Sequence, residues 1–512
     1  MTITVGNHAV ALEVGSIMTV TAGAAGCTVT RTNASGASLA TPLAAGVTTF
    51  GPYFRRQSFT LVDGSNASSF QINAIEQRPD LGVTCAIAGD SRVQQHYDQS
   101  STAITGRPRW FTLGNALARQ RLNLVANAGV SGDTAQGLLN RLSNATFGAG
   151  FGAIGSQAAV VTTSPGVIPF APRYCFVSIG FNDIITNGGT ASATMPIIIK
   201  IYKALFAAGI TPVALTIPLP AFATGGMTTA KARELDNLNR KIRDYVAATP
   251  GMQIVDIYNS MLAPTSANIE SLSTYFRDAT VHENNLGGYR EAQALKSWIL
   301  ATIPSYTDIL PASNAATIAA DGAILQLQPN PLLTGSTAAT GTNVSGNIPT
   351  GGISINRGGS PSACVCSVAS RADGFGQDMS MEVTATAAGD AYEARFPSQH
   401  ANAVVGATYI AVAEISASGA GGAALTSAGN LSGIQFYLQY YDGTTNYFSW
   451  ENAWASTDGP YPESFTLVSK TRPLTIPGTG TPSIFRINLT ATFAGAGTAR
   501  LTIGRVGLIR IS

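Results

Sequence analysis

Charge is scarce in this 512-residue chain. Lys and Arg number 30 and Asp and Glu 28, only 11% of the residues, with a formal net charge of +2. So dilute and balanced a complement excludes the clustered basic footprint of a nucleic-acid binder. Long apolar runs are missing as well: none reaches the ~18 residues that a membrane-spanning helix needs. Met1 to His8 lack the basic start and apolar core of a secretory signal, so export by that route is not expected. The five cysteines, Cys27, Cys85, Cys175, Cys364 and Cys366, follow neither zinc-ligand spacing nor an even-numbered disulfide framework. No metal or cofactor is expected. Histidine is rarer still, at His8, His96, His282 and His400, which leaves few places for imidazole chemistry.

What is present divides the chain into parts. Residues 1–76 hold short alternating runs, such as Ile17 to Thr21 and Ser58 to Val62, separated by turn signals, and predict a small all-β domain. Residues 77–310 alternate strand and helix patterns, the mark of a parallel sheet covered by helices. Their clearest helix runs from Thr228 to Val246, with Leu235, Leu238, Ile242 and Tyr245 on one face. Residues 311–330 read as a linker. Residues 331–512 carry almost no helical pattern, and their alternating strands predict a β-sandwich of the jelly-roll sort.

The chemistry concentrates at four polar clusters, in strand-end or late-loop positions. Val83 to Ile87 runs into Gly89-Asp90-Ser91. Leu122 to Ala126 runs into Asn127-Ala128-Gly129-Val130-Ser131-Gly132-Asp133. Cys175 to Ile179 runs into Gly180-Phe181-Asn182-Asp183. Asp278-Ala279-Thr280-Val281-His282 precedes a helical pattern. An open α/β sheet binds its ligands at the carboxyl ends of its strands.

In order and spacing these blocks resemble the SGNH (GDSL-type) family of serine esterases, over roughly Asp80 to Tyr306. The resemblance implies a flavodoxin-like α/β/α fold with Ser91 as nucleophile and His282 as general base. Asp278 is the nearest upstream carboxylate able to orient the imidazole. It also implies an oxyanion hole of the Ser91 N–H, the Gly132 N–H and the Asn182 side-chain amide. The family spaces acid and base as Asp-x-x-His, whereas Asp278 stands four residues before His282; Glu283 is the second choice of acid. Asp90, Asp133 and Asp183 are expected to brace their loops, and His96 to be structural.

Phe436, Tyr437, Tyr440, Tyr441, Tyr447, Phe448, Trp450, Trp454 and Tyr461 crowd into 26 residues of the carboxyl-terminal part. They serve a sandwich core or a glycan-stacking platform, and alternation lets only half of them face outward. That part looks like carbohydrate-binding modules, and Thr48 to Phe54 looks like amino-terminal modules of phage virion proteins. Taken together, the expectation is an esterase acting on O-acyl groups of a bacterial surface polysaccharide. It would be carried on a phage tail spike or fibre, bound to other virion tail proteins through its first domain and assembled as a homotrimer. The rivals are a secreted carbohydrate esterase or lipase and a non-catalytic adhesin. The hydrolase is further expected to act on small esters without residues 331–512.

Overall fold

The computed structural model describes residues 8–12, 17–22, 27–32, 38–43, 46–50, 57–62, 69–73, 82–100, 102–145, 164–221, 227–262, 271–277, 281–304, 310–315, 325–397, 402–453, 458–477 and 483–511. The first seven strands are β1 (His8–Leu12), β2 (Ile17–Ala22), β3 (Cys27–Thr32), β4 (Ser38–Leu43), β5 (Gly46–Phe50), β6 (Gln57–Val62) and β7 (Ser69–Asn73). They pair antiparallel in two sheets, ordered β1-β6-β3-β4 and β5-β2-β7.

The central sheet contains β8 (Val83–Gly89), β11 (Leu122–Gly129), β12 (Tyr174–Ser178), β13 (Thr211–Leu215) and β14 (Gln253–Val255). All pairs are parallel and the order is β11-β8-β12-β13-β14. Renumbered within the sheet this is 2-1-3-4-5, the flavodoxin-like order, whose switch point lies beside the first strand. Both β8 and β12 are buried at every position, as strands covered on two faces must be. Cys85 and Ile87 turn to one face, against α2 (Trp110–Leu117) and α7 (Asn285–Thr302). Ala86 and Ala88 turn to the other, against α3 (Ala135–Arg141), α4 (Ala191–Ala207) and α5 (Thr229–Ala247). The amphipathic pattern read in α5 buries Leu235, Leu238 and Ile242. No helix of the described residues is long and apolar enough to cross a membrane.

The carboxyl-terminal region is all-β, in two mixed sheets. One is ordered β15 (Thr337–Ala338), β16 (Val344–Ile348), β18 (Ala363–Ser370), β19 (Gln377–Ala385), β27 (Gly497–Arg510), β21 (Thr408–Gly419) and β24 (Phe465–Lys470), with β25 (Leu474–Thr475) beside β21. The other runs β17 (Ser354–Gly358), β20 (Ala391–Phe396), β26 (Ile484–Phe493), β22 (Leu431–Tyr441) and β23 (Asn446–Glu451). It then continues into β10 (Ala103–Gly106) and β9 (Tyr97–Gln99), which belong to the segment just after Ser91.

That continuation ties the central domain to residues 331–512. Beyond the β10–β23 pairing, the Phe448 and Ala453 N–H groups donate to Thr102 O (2.9 Å) and Gly106 O (2.8 Å). Tyr289 of α7 packs against Tyr461 and Phe465, and Arg472 donates to Leu124 O at 3.2 Å. One apolar cluster runs unbroken from Ile87 through Tyr289 to Leu508. The sequence divides there; the core does not.

Candidate active site

β8 delivers the chain to Gly89, where any side chain would collide. A Cβ there would lie 2.0 Å from Ser178 O and 2.6 Å from Val93 Cγ2. Glycine thus lets the turn into α1 (Ser91–Gln94) close down on β12. Asp90 caps that turn by accepting the Arg92 N–H at 3.0 Å. Burial pushes the Asp90 carboxyl up to about 6, against the opposing pull of the Arg92 charge. Ser91 follows at the first helical position, 9% exposed. Its N–H is one of those a helix leaves without an internal partner.

His282 arrives from the far end of the domain, and its Nε2 lies 3.0 Å from Ser91 Oγ. Its backbone is pinned on both sides. Arg277 N–H donates to His282 O at 2.9 Å, and Phe276 pairs with Glu283 across an antiparallel bridge. Asn284 caps α7 by accepting the Leu286 and Gly287 N–H groups, both at 3.0 Å. Asp278 lies outside the described residues, so its role rests on the sequence alone. Glu283, the second choice, is 2% exposed and sets Oε1 3.6 Å from Arg92 Nε.

Gly132 and Asn182 lie in the turns that follow β11 and β12, the strands that flank β8. Gly132 has φ +75, and a Cβ there would meet nothing within 4 Å, so the conformation and not crowding selects glycine. Asn182 opens a π-helical turn, Asn182–Thr186, and its Nδ2 donates to Asp133 O at 2.9 Å. Its Oδ1 accepts from Thr186 Oγ1 at 3.0 Å, which fixes the amide orientation. Nδ2 carries two hydrogens, so one is left for a ligand. Asp133 receives Arg141 Nε at 2.8 Å, while Arg141 Nη2 reaches Gly89 O at 3.0 Å. One buried arginine therefore couples the Gly132 loop to the nucleophile strand. Asp183 accepts the Ala135 N–H at 3.0 Å, and its burial raises its carboxyl above the ordinary range.

His96 sits behind this site. Its Nδ1 lies 3.0 Å from Val93 O, and its Nε2 accepts the Phe111 N–H at 3.2 Å. Burial depresses it to about 3, so it stays neutral and structural. His8 lies in β1, and His400 is outside the described residues. Sequence reasoning passed over Arg92 and Arg141. For Arg92 the available signal was an arginine next to an apolar strand end in a chain so poor in charge.

Residues 87–288 match the model of the GDSL-like Lipase/Acylhydrolase family. The central domain is thus of GDSL-like esterase/acylhydrolase type. No curated protein matches the chain. Among solved structures, a GDSL-like lipase from Bacteroides thetaiotaomicron is 17% identical, covering 43% of this chain and 87% of its own, with TM-score 0.30. A carbohydrate esterase family 3 protein from Talaromyces cellulolyticus is 15% identical, covering 43% and 98%, with TM-score 0.30. A lipolytic protein of the G-D-S-L family from Veillonella parvula is 15% identical, covering 43% and 98%, with TM-score 0.28. Likenesses this distant carry no inference about substrate.

Proposed function

We propose that this protein is a serine esterase that removes O-acyl groups, chiefly O-acetyl, from a bacterial surface polysaccharide. The observation that carries the reading is the 3.0 Å contact between His282 Nε2 and Ser91 Oγ, at the carboxyl end of the central parallel sheet. In this reading His282 accepts the Ser91 proton as Oγ attacks the ester carbonyl. The tetrahedral oxyanion takes hydrogen bonds from the Ser91 and Gly132 N–H groups and the spare Asn182 amide hydrogen. The imidazolium then protonates the departing sugar alkoxide, leaving an acyl-serine. Water, deprotonated by His282, releases the carboxylic acid and restores the serine. Asp278 orients the imidazole.

The polysaccharide part draws on the sandwich. Of its aromatic run, Phe436, Tyr440 and Tyr461 are buried in the core. Tyr437 and Trp450 stack at 3.7 Å, with Phe448 5.6 Å from Trp450, and Phe448 and Trp450 remain partly exposed. Beside them Arg486 Nε donates to Gln439 Oε1 at 2.9 Å. Ring faces bordered by amide and guanidinium groups suit a sugar chain. Low charge, abundant β structure and a β-rich first segment support the setting: a homotrimeric phage tail spike or fibre acting at the cell surface. Acetate release from a panel of acetylated glycans, run beside p-nitrophenyl esters of increasing chain length, tests the chemistry. Faster release from glycans is expected, and preference for long acyl esters would overturn the deacetylase reading. A mass near 52.7 kDa in light scattering would overturn the trimer.

A further inference from the structure

The residue after the nucleophile is an arginine with only 3% of its side chain exposed. Its guanidinium touches a neighbour of His282 and a neighbour of Asn182. Nε lies 3.6 Å from Oε1 of Glu283, which adjoins His282. The guanidinium carbon lies 4.3 Å from the ring centroid of Phe181, which adjoins Asn182. Nη1 donates to Pro218 O at 2.9 Å, fixing the head against the loop after β13. Nε and Nη2 make no hydrogen bond with the described residues. Burying a charge with unanswered N–H groups lowers stability, so fold stability is a poor account of this placement.

From this geometry we infer that Arg92 is a positioning residue, holding Ser91, Asn182 and His282 in register through its own backbone, Phe181 and Glu283. The inference rests on the esterase reading. It explains how a base from a loop near the end of the domain stays in hydrogen-bond reach of a serine that precedes it by 191 residues. Misplacement of reacting groups by an ångström costs on the order of 100-fold in rate. The pair Arg92–Glu283 spans the two segments that would have to move.

The test compares the parent with Arg92→Met, Arg92→Lys and Glu283→Gln in the full chain. The readouts are kcat and KM on p-nitrophenyl acetate, the rate of fluorophosphonate labelling of Ser91, and thermal melting. Arg92→Met should lower kcat by about 10- to 100-fold with KM nearly unchanged, and the labelling rate should fall in step. Arg92→Lys should recover part of both, because charge is restored without the planar fork. A folded Arg92→Met with parental kcat, or a loss confined to KM or melting temperature, overturns the inference. Should Arg92→Met fail to fold, Glu283→Gln decides: a fall in kcat at constant KM supports the clasp, and parental kcat refutes it. A parent that neither turns over ester nor labels at Ser91 defeats the esterase reading, and this inference with it. A labelled parent matched by its variants defeats the clasp alone.

Discussion

Removing residues 331–512 should destroy the esterase, although the whole GDSL-like region would remain. The perturbation takes away β23, the partner of β10, and with it the sheet into which the segment after Ser91 is woven. It uncovers Tyr97, Ile104 and Tyr289, which are 5%, 0% and 1% exposed in the full chain. Exposing three large side chains costs about 5–9 kcal/mol at ~1.5–3 kcal/mol each. A whole domain is stable by only about 5–15 kcal/mol. The loss also reaches the catalytic loop, because Asp458 Oδ1 accepts the Asn285 N–H at 3.1 Å and Glu463 Oε1 accepts the Tyr289 hydroxyl at 3.0 Å, just beyond His282. The assay compares soluble yield, thermal melting and p-nitrophenyl acetate turnover of residues 1–330 with those of the full chain. Aggregation, or a soluble chain without a cooperative transition, is expected. A monomeric product melting within a few degrees of the parent with its kcat would refute the shared-core reasoning.

Three further outcomes can be measured directly. Ser91→Ala should keep the parental melting profile while turnover falls to background, and loss of phosphonate labelling identifies the nucleophile. Normal turnover would sink the assignment. Asn182→Ala should lower kcat by roughly 100- to 1,000-fold if its amide meets the oxyanion, whereas a change of a few-fold would leave it a loop residue. Burial pushes the Glu451 carboxyl up from 4.5 to about 8 where it meets Gly106. The folded state therefore keeps a proton that the unfolded chain gives up between about pH 4.5 and 8. Stability should fall as pH rises through that window, by up to about 1.4 kcal/mol per unit. Glu451→Gln should flatten the dependence and raise the melting temperature at pH 8; an unchanged slope would place the titration elsewhere.

Much of the central fold was legible because burial on two faces forces its strands into short apolar runs. Val83 to Ile87, Leu122 to Ala126 and Cys175 to Ile179 each announced a parallel strand, and β8, β11 and β12 contain them or nearly so. Helix α5 was legible for the opposite reason: it is covered on one face only, so its Leu235-Leu238-Ile242 stripe stands out against charge. The β9–β10 hairpin left no such mark. Its strands are three and four residues long. The pairing of β10 with β23 is a contact between segments some 345 positions apart, which no local periodicity encodes.

The site divides along the same line. Ser91, Gly132 and Asn182 are proposed from sequence because each follows its strand within a few residues, so a strand end and a turn signal locate it. His282 was readable from its scarcity and its place before a helix. The groups that hold these residues were not, because their identity depends on what three-dimensional packing leaves uncompensated. Arg141 looks like a basic residue in the last turn of α3, the ordinary place for one on a helix surface. In the structure its nitrogens reach Ala128 O at 2.8 Å, Gly89 O at 3.0 Å and the Asp133 carboxylate at 2.7 Å, gathering the first two loops of the site. Two buried arginines, Arg92 and Arg141, stand at the nucleophile turn. Burial makes each contact of such a group stronger than it would be in water, and makes each missing contact costlier. The precision of the site is therefore carried by residues that do not touch the ester.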